Sequence, residues 1–314
     1  MAVFQDTAFQ CLTAMYKSLI HLGYGKAGTT FLHKWFQEHP QLVYRQFGIG
    51  GFTDIKEIYQ YLYELPDGHK PVYFVTSHED LSFWKGPIGS IGAELIAYSI
   101  KEHQQRVCNW LYALMPNSVI LIITRGFETI IKSGYSQYVR IGGNLHFDVF
   151  IQGVKSLILD FWDYDYLIGL YQDKFGKENV IVLPYELLEE NSIAFIREIE
   201  ERLQIEHFEF KPQKVHPSYN SEHIYWRVKI ANYCVTLAKW LPPAVAQRLY
   251  QLYIAEIANN SNSSLINLLI RCYPNRKEQI ALPDSYIAEF KYKAKLLKAM
   301  PVYKHYLRYY LQCE

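Results

Sequence analysis

The segment that most restricts how this chain can fold is an apolar run of strand length, residues 18–22. It passes directly into Gly23-Tyr-Gly-Lys-Ala-Gly28, and then into Thr29 and Thr30 at the head of a helical pattern. Glycines let backbone N–H groups converge, and a helix N-terminus adds partial positive charge, so a strand, a glycine loop and a helix in that order form an anion cradle. A glycine cluster alone is as readily a tight strand-to-helix turn. The order Gly-x-Gly-Lys-x-Gly-Thr-Thr straight after an apolar strand favours the cradle. Gly23 and Gly28 keep the G-x4-G spacing of a nucleotide P-loop, yet Thr29 stands where such a loop carries its lysine, and the lysine comes earlier, at Lys26. A lysine inside the loop faces a bound phosphate and the oxygen bridging it to a departing group, rather than the terminal phosphates of a triphosphate.

Around this unit, strand-length apolar runs alternate with longer amphipathic patterns, which predicts an α/β fold with a largely parallel sheet of about five strands flanked by helices. Further strands are read at 42–44, 72–76, 118–124 and 179–183. Helices are read from Thr29 to before Pro40, at 93–114, at 127–139, as one long helix over 148–175, and at 193–203. Beyond Lys214 the pattern is helical and aromatic, broken at Pro242-Pro243 and around 259–264. Residues 1–220 are expected to form the α/β core and 221–314 a helical extension packed on it.

The run at 118–124 is the clearest buried strand, and it ends in Arg125. Magnesium-using P-loop enzymes place an aspartate at the end of such a strand. Arginine cannot ligate magnesium, but its planar fork suits a phosphate. Ser133 follows about two helical turns later, where its hydroxyl can reach the same anion. Taken singly, these are a capping arginine and an ordinary helical serine; together with Lys26 they predict a second phosphate site.

Bulk properties limit the partners. The chain has 314 residues and a formal net charge of +1, so no global field marks a nucleic-acid binder. Its five cysteines are scattered without a CxxC pair, which argues against a disulfide or zinc framework and favours a reducing, cytoplasmic setting. No signal peptide is read at the N-terminus, and the longest apolar stretch, near 119–123, is far too short to span a bilayer.

With these residues in view, the chain resembles the sulfotransferases that use 3′-phosphoadenosine-5′-phosphosulfate (PAPS). The stretch from His21 to Pro40 is similar to that family's 5′-phosphosulfate loop and helix, although Gly25 stands where many members have proline or serine. Ile123 to Ser133 resembles the 3′-phosphate motif. Val180 to Ile205, with the Tyr-Glu pair at Tyr185 and Glu186, looks like the strand and helix that follow. The resemblance covers about the first 205 residues. It implies a P-loop-like core and PAPS as donor, leaving 3′-phosphoadenosine-5′-phosphate (PAP), without an obligatory metal. The donor would be held by Gly25, Lys26, Ala27, Gly28, Thr29 and Thr30, by Arg125 and Ser133, by Tyr185, and by a basic contact from a closing loop, for which Lys214 is the candidate.

The end of the third strand supplies His78, Glu79 and Asp80, and ligands of parallel sheets bind beyond the carboxyl ends of the strands. Glu79 is the favoured general base and His78 the runner-up, because Ser-x-Glu-x-Leu resembles the bacterial members. The acceptor is open: a small molecule, a carbohydrate or a lipid-like molecule, and the aromatic C-terminal region also suits a peripheral membrane contact. Two rivals stand beside the enzyme reading. One is a P-loop small-molecule kinase; the other is a non-catalytic PAP-binding or membrane-associated protein of the same fold.

Overall fold

A computed structural model describes residues 17–44, 73–78, 81–82, 99–211 and 219–311. The chain divides into two compact units, each assembled from separate stretches: 1–126, 159–215 and 289–314 form the first, and 127–158 with 216–288 form the second.

The first unit is built on a five-stranded, all-parallel sheet. Its strands are β1 (Lys17–Leu22), β2 (Leu42–Val43), β3 (Tyr73–His78), β4 (Val119–Thr124) and β5 (Val180–Pro184), in the order β2-β3-β1-β4-β5. β1 lies at the centre, flanked by β3 and β4, so the loop that leaves its carboxyl end emerges mid-sheet. The inner strands are apolar without alternation, as strands covered on both faces must be: Leu19, Ile20 and Leu22 in β1 and Ile120 to Ile123 in β4 have almost no exposed surface.

Helix α1 (Thr29–Glu38) follows the glycine loop and buries Phe31, Leu32, Trp35 and Phe36 along one stripe. It stops before Pro40, as expected. Helix α2 (Ile100–Leu114) starts at a capping box in which Ser99 and Glu102 satisfy each other's backbone N–H groups. α3 (Phe127–Arg140) leaves the end of β4. The long helix expected over 148–175 is two: α4 (Phe147–Phe161) and α5 (Tyr164–Phe175). Asp163 breaks it by turning its carboxylate onto the Tyr166 N–H as the N-cap of α5. The same carboxylate receives Lys101 Nζ and Lys293 Nζ, each at 2.8 Å, so the interruption is held by two ion pairs. α6 (Tyr185–Glu190) and α7 (Ser192–Leu203) follow β5.

The first unit is completed by the C-terminal stretch. Short 3-10 turns at Lys291–Lys293, Lys295–Ala299 and Pro301–Tyr303 return the chain to the sheet. Asp165 accepts the backbone N–H groups of Lys295 and Leu296, at 2.8 Å each. Tyr303 and Tyr310 both bring their hydroxyls to Thr124 Oγ1 at the carboxyl end of β4, at 2.8 and 2.9 Å.

The second unit is helical. Besides α3 and most of α4 it holds α8 (Ser221–Ala238), α9 (Pro243–Tyr253), a π turn at Ile254–Ala258 and α10 (Ser264–Cys272). Its interior draws on Ile130, Tyr135, Val139 and Phe147 with Ile224, Val228, Ala231, Tyr253 and Ile266. Glu278 is buried there with three donors: Tyr135 Oη, the Phe147 N–H and His146 Nδ1. Ser133 is a buried residue of α3 in this unit.

Candidate active site at the carboxyl edge of the sheet

The glycine loop after β1 has the backbone of an anion cradle. Lys26 and Gly28 both take left-handed conformations, with φ of 71° and 84°. For lysine that geometry is uncommon and costs free energy, so the surrounding structure holds it. The Ala27 N–H closes onto the Tyr24 carbonyl at 3.2 Å, and Thr29 Oγ1 reaches the same carbonyl at 3.5 Å. The Tyr24 ring is fully buried, edge-on to Phe161 and Tyr164 at 5.2 and 5.4 Å, and anchors the loop to the core. Gly25, Lys26 and Gly28 are partly exposed and Thr30 is exposed, while Ala27 and Thr29 are buried. The loop therefore presents backbone and the Thr30 position outward from a rigid base.

Arg125 approaches this loop from the neighbouring strand. Its Nη1 donates to the Lys26 carbonyl at 2.6 Å, and its guanidinium lies over the Tyr185 ring, 4.2 Å from the centroid. Nη2 lies 3.8 Å from the half-exposed Glu189 carboxylate. Tyr185 also packs on the loop: a Cβ added at Gly28 would come within 3.3 Å of its ring and 2.7 Å of Leu188 Cδ2. Lys26, Gly28, Arg125 and Tyr185, singled out separately in the sequence, thus meet in the first unit.

The main chain beside Arg125 is fixed from several directions. Tyr164 Oη donates to the Arg125 carbonyl at 2.6 Å and accepts from its N–H at 3.3 Å. The next N–H, that of Gly126, donates to Glu186 Oε1 at 2.8 Å, and Tyr310 Oη donates to Glu186 Oε2 at 2.7 Å. Gly126 has no room for a side chain, since a Cβ there would sit 2.7 Å from Tyr309 Cβ. Burial raises the Glu186 carboxyl above the ordinary glutamate range, opposed by its Gly126 and Tyr310 hydrogen bonds. The role of Glu186 was only hinted at by the Tyr-Glu pair. Tyr164, Tyr303 and Tyr310 were indistinguishable from other aromatic residues of an aromatic-rich chain.

On the other side of β1, His78 ends β3 in register with Leu22, beside the start of the loop. Ser82 Oγ donates to the Gly23 carbonyl at 2.8 Å, and Gln104 Nε2 donates to the Ser82 carbonyl at 3.2 Å. A histidine pair that no sequence motif singles out lies here. Ser77 Oγ is 2.7 Å from His21 Nδ1 and 2.8 Å from His33 Nε2. His21 has no exposed surface, and burial, reinforced by His33, lowers its pKa to about 3. Its signal was a histidine at an interior position of an otherwise apolar strand. Glu79, Asp80 and Lys214 lie outside the described residues.

Comparison with known proteins adds little. No protein-family model and no curated protein matches the chain. Several solved structures are similar to part of the chain. Among them is the crystal structure of a sulfotransferase from Alicyclobacillus acidocaldarius, 18% identical, covering 76% of this chain and 95% of that one, with a TM-score of 0.44. A likeness that weak assigns neither family nor reaction to this chain.

Proposed function

We propose that this chain is a sulfotransferase that moves a sulfuryl group from PAPS to a hydroxyl or amine acceptor. The observation that carries the reading is the apposition of Arg125 with the loop carbonyl of Lys26, which sets a guanidinium, a group whose planar fork suits a phosphate, beside a left-handed glycine loop. A kinase of this architecture needs a magnesium-binding carboxylate at the end of β4. The residue there is Arg125, and the nearby Glu186 carboxylate is committed on both oxygens to Gly126 and Tyr310.

In this reading the loop N–H groups and Lys26 hold the 5′-phosphosulfate, with Thr29 and Thr30 at the helix start. Arg125 takes the 3′-phosphate, and Ser133 keeps the same assignment on sequence grounds. Tyr185 stacks beneath the arginine and limits its rotation, and Lys214 supplies a basic contact. The acceptor oxygen attacks sulfur in line. As the new S–O bond forms, the bond from sulfur to the bridging oxygen breaks, and its electron pair stays on the 5′-phosphate of PAP. Lys26 and the loop N–H groups stabilise that charge, and the acceptor's proton passes to Glu79 or His78.

Calorimetry with PAP, adenosine 5′-phosphate and ATP tests the donor assignment, with PAP expected to bind at least about tenfold more tightly than either, since only it offers the 3′-phosphate. Equal affinity for PAP and adenosine 5′-phosphate would overturn it. PAP binding without transfer from labelled PAPS to any acceptor pool would leave a non-catalytic PAP-binding protein.

A further inference from the structure

In the second unit, α8 and α9 pack against each other as consecutive helices joined across residues 239–242. Away from the joined ends they are buried: Ala231 of α8 and Tyr253 of α9 form a core with Ala258 of the π turn, and Ile230, Cys234, Ile254 and Ile257 pack against it. Their joined ends are not. From Val235 to Leu252 no residue is buried, and the exposed ones are largely apolar. Trp240 is 85% exposed, Leu237 55% and Tyr233 60%, with Val235, Leu241 and Val245 also open. Apolar residues thus surround the tip rather than line one face, so a single groove-binding helix would cover only part of them.

Charge narrows what covers this tip. Between Lys229 and Ala255 the charged residues are Lys229, Lys239 and Arg248, with no carboxylate among them. Two copies meeting tip to tip would bring like charges together around a small contact. A bilayer surface has the opposite character. Its interfacial zone accepts tryptophan, tyrosine and short apolar side chains, lysine and arginine stems can lie along it with their charges at the headgroups, and anionic lipids attract the bases. No helix among the described residues is long and apolar enough to cross a membrane, so such a contact is peripheral.

We infer that the α8–α9 tip is a membrane-docking element that inserts Trp240 and Leu241 into the interfacial layer of an anionic bilayer. Lys239 and Arg248 contact the lipid headgroups. The inference is independent of the transfer reaction and survives or fails without it.

The test is sedimentation of the full chain with phosphatidylcholine vesicles, with or without about one quarter phosphatidylserine. Wild-type protein is expected to pellet with the anionic vesicles, less so as salt is raised. Trp240→Ser with Leu241→Ser should lower partitioning on the order of tenfold or more. Lys239→Gln with Arg248→Gln should lower it roughly fivefold per charge on anionic vesicles and leave binding to neutral vesicles unchanged. All four side chains are exposed, and unchanged thermal unfolding of the variants confirms their fold. Absence of wild-type binding to either vesicle overturns the inference. So does equal binding by the Trp240→Ser, Leu241→Ser variant. Sedimentation velocity supplies the competing outcome: a wild-type dimer that this variant converts to monomer assigns the tip to self-association instead.

Discussion

Arg125 donates from Nη1 to the carbonyl oxygen of Lys26 across 2.6 Å. A left-handed lysine turns that carbonyl toward the neighbouring strand, and a strand end carrying arginine meets it. The contact welds the glycine loop to β4 and leaves the rest of the guanidinium stacked on Tyr185.

Arg125→Lys keeps the charge but loses the planar fork and the stacking. PAP affinity is expected to drop on the order of tenfold to a hundredfold, while adenosine 5′-phosphate affinity changes little. Calorimetry with the two ligands reads the difference, and a parallel loss for both would move Arg125 from the 3′-phosphate to a general role in holding the loop.

Gly28→Ala and Gly153→Ala should act in opposite directions. At Gly28 a side chain meets Leu188 at 2.7 Å and φ is 84°, so a loss of about 2–3 kcal/mol is expected. Gly153 sits within α4 with nothing within 4 Å of the added Cβ, so the same substitution should stabilise by up to about 1 kcal/mol. Thermal or urea unfolding of both variants decides.

His21 makes folding sensitive to acid. Its folded pKa, about 3, lies below the ordinary histidine value of 6.5, so between those values the unfolded chain binds the extra proton and stability falls as pH falls. The slope for one such group is about 1.4 kcal/mol per pH unit well below 6.5. His21→Asn should gain on the wild type steadily as pH drops through that window. A pH-independent difference in unfolding free energy would show that the ring does not titrate on unfolding.

Glu186 works in the other sense. Burial raises its folded pKa, so the native state holds the extra proton, and stability is lost as pH rises from the ordinary glutamate value through the raised one. Glu186→Gln should therefore gain relative to wild type as pH climbs across that interval. Tyr310→Phe removes a hydrogen bond to the ionised carboxylate and should cost about 1–2 kcal/mol, most at neutral pH. Unfolding curves from acid to neutral pH measure both.

Glu79→Gln should lower turnover about 10²–10⁴-fold with PAP affinity nearly unchanged, because a general base acts on the acceptor's proton and not on the donor. If that variant keeps wild-type rates and His78→Ala loses them, the base is His78. Single-turnover assays with labelled PAPS distinguish the two.

Local patterns in the sequence determined the parallel sheet, the glycine loop and the arginine after β4, because each depends on a few neighbouring residues: continuous apolar runs, glycine spacing, and a strand ending at a charge. The break at Asp163 was also local, but the apolar period on both sides concealed a cap held by Lys101 and Lys293 from distant segments. What only the tertiary structure decided was long-range company. Tyr303 and Tyr310 reach Thr124 from far along the chain, and Tyr310 secures Glu186 and through it the Gly126 N–H. A tyrosine in a helical pattern carries no mark of whether its hydroxyl faces water or a buried carboxylate. That is settled when distant segments fold together, since a buried polar atom must find a partner wherever packing has placed it.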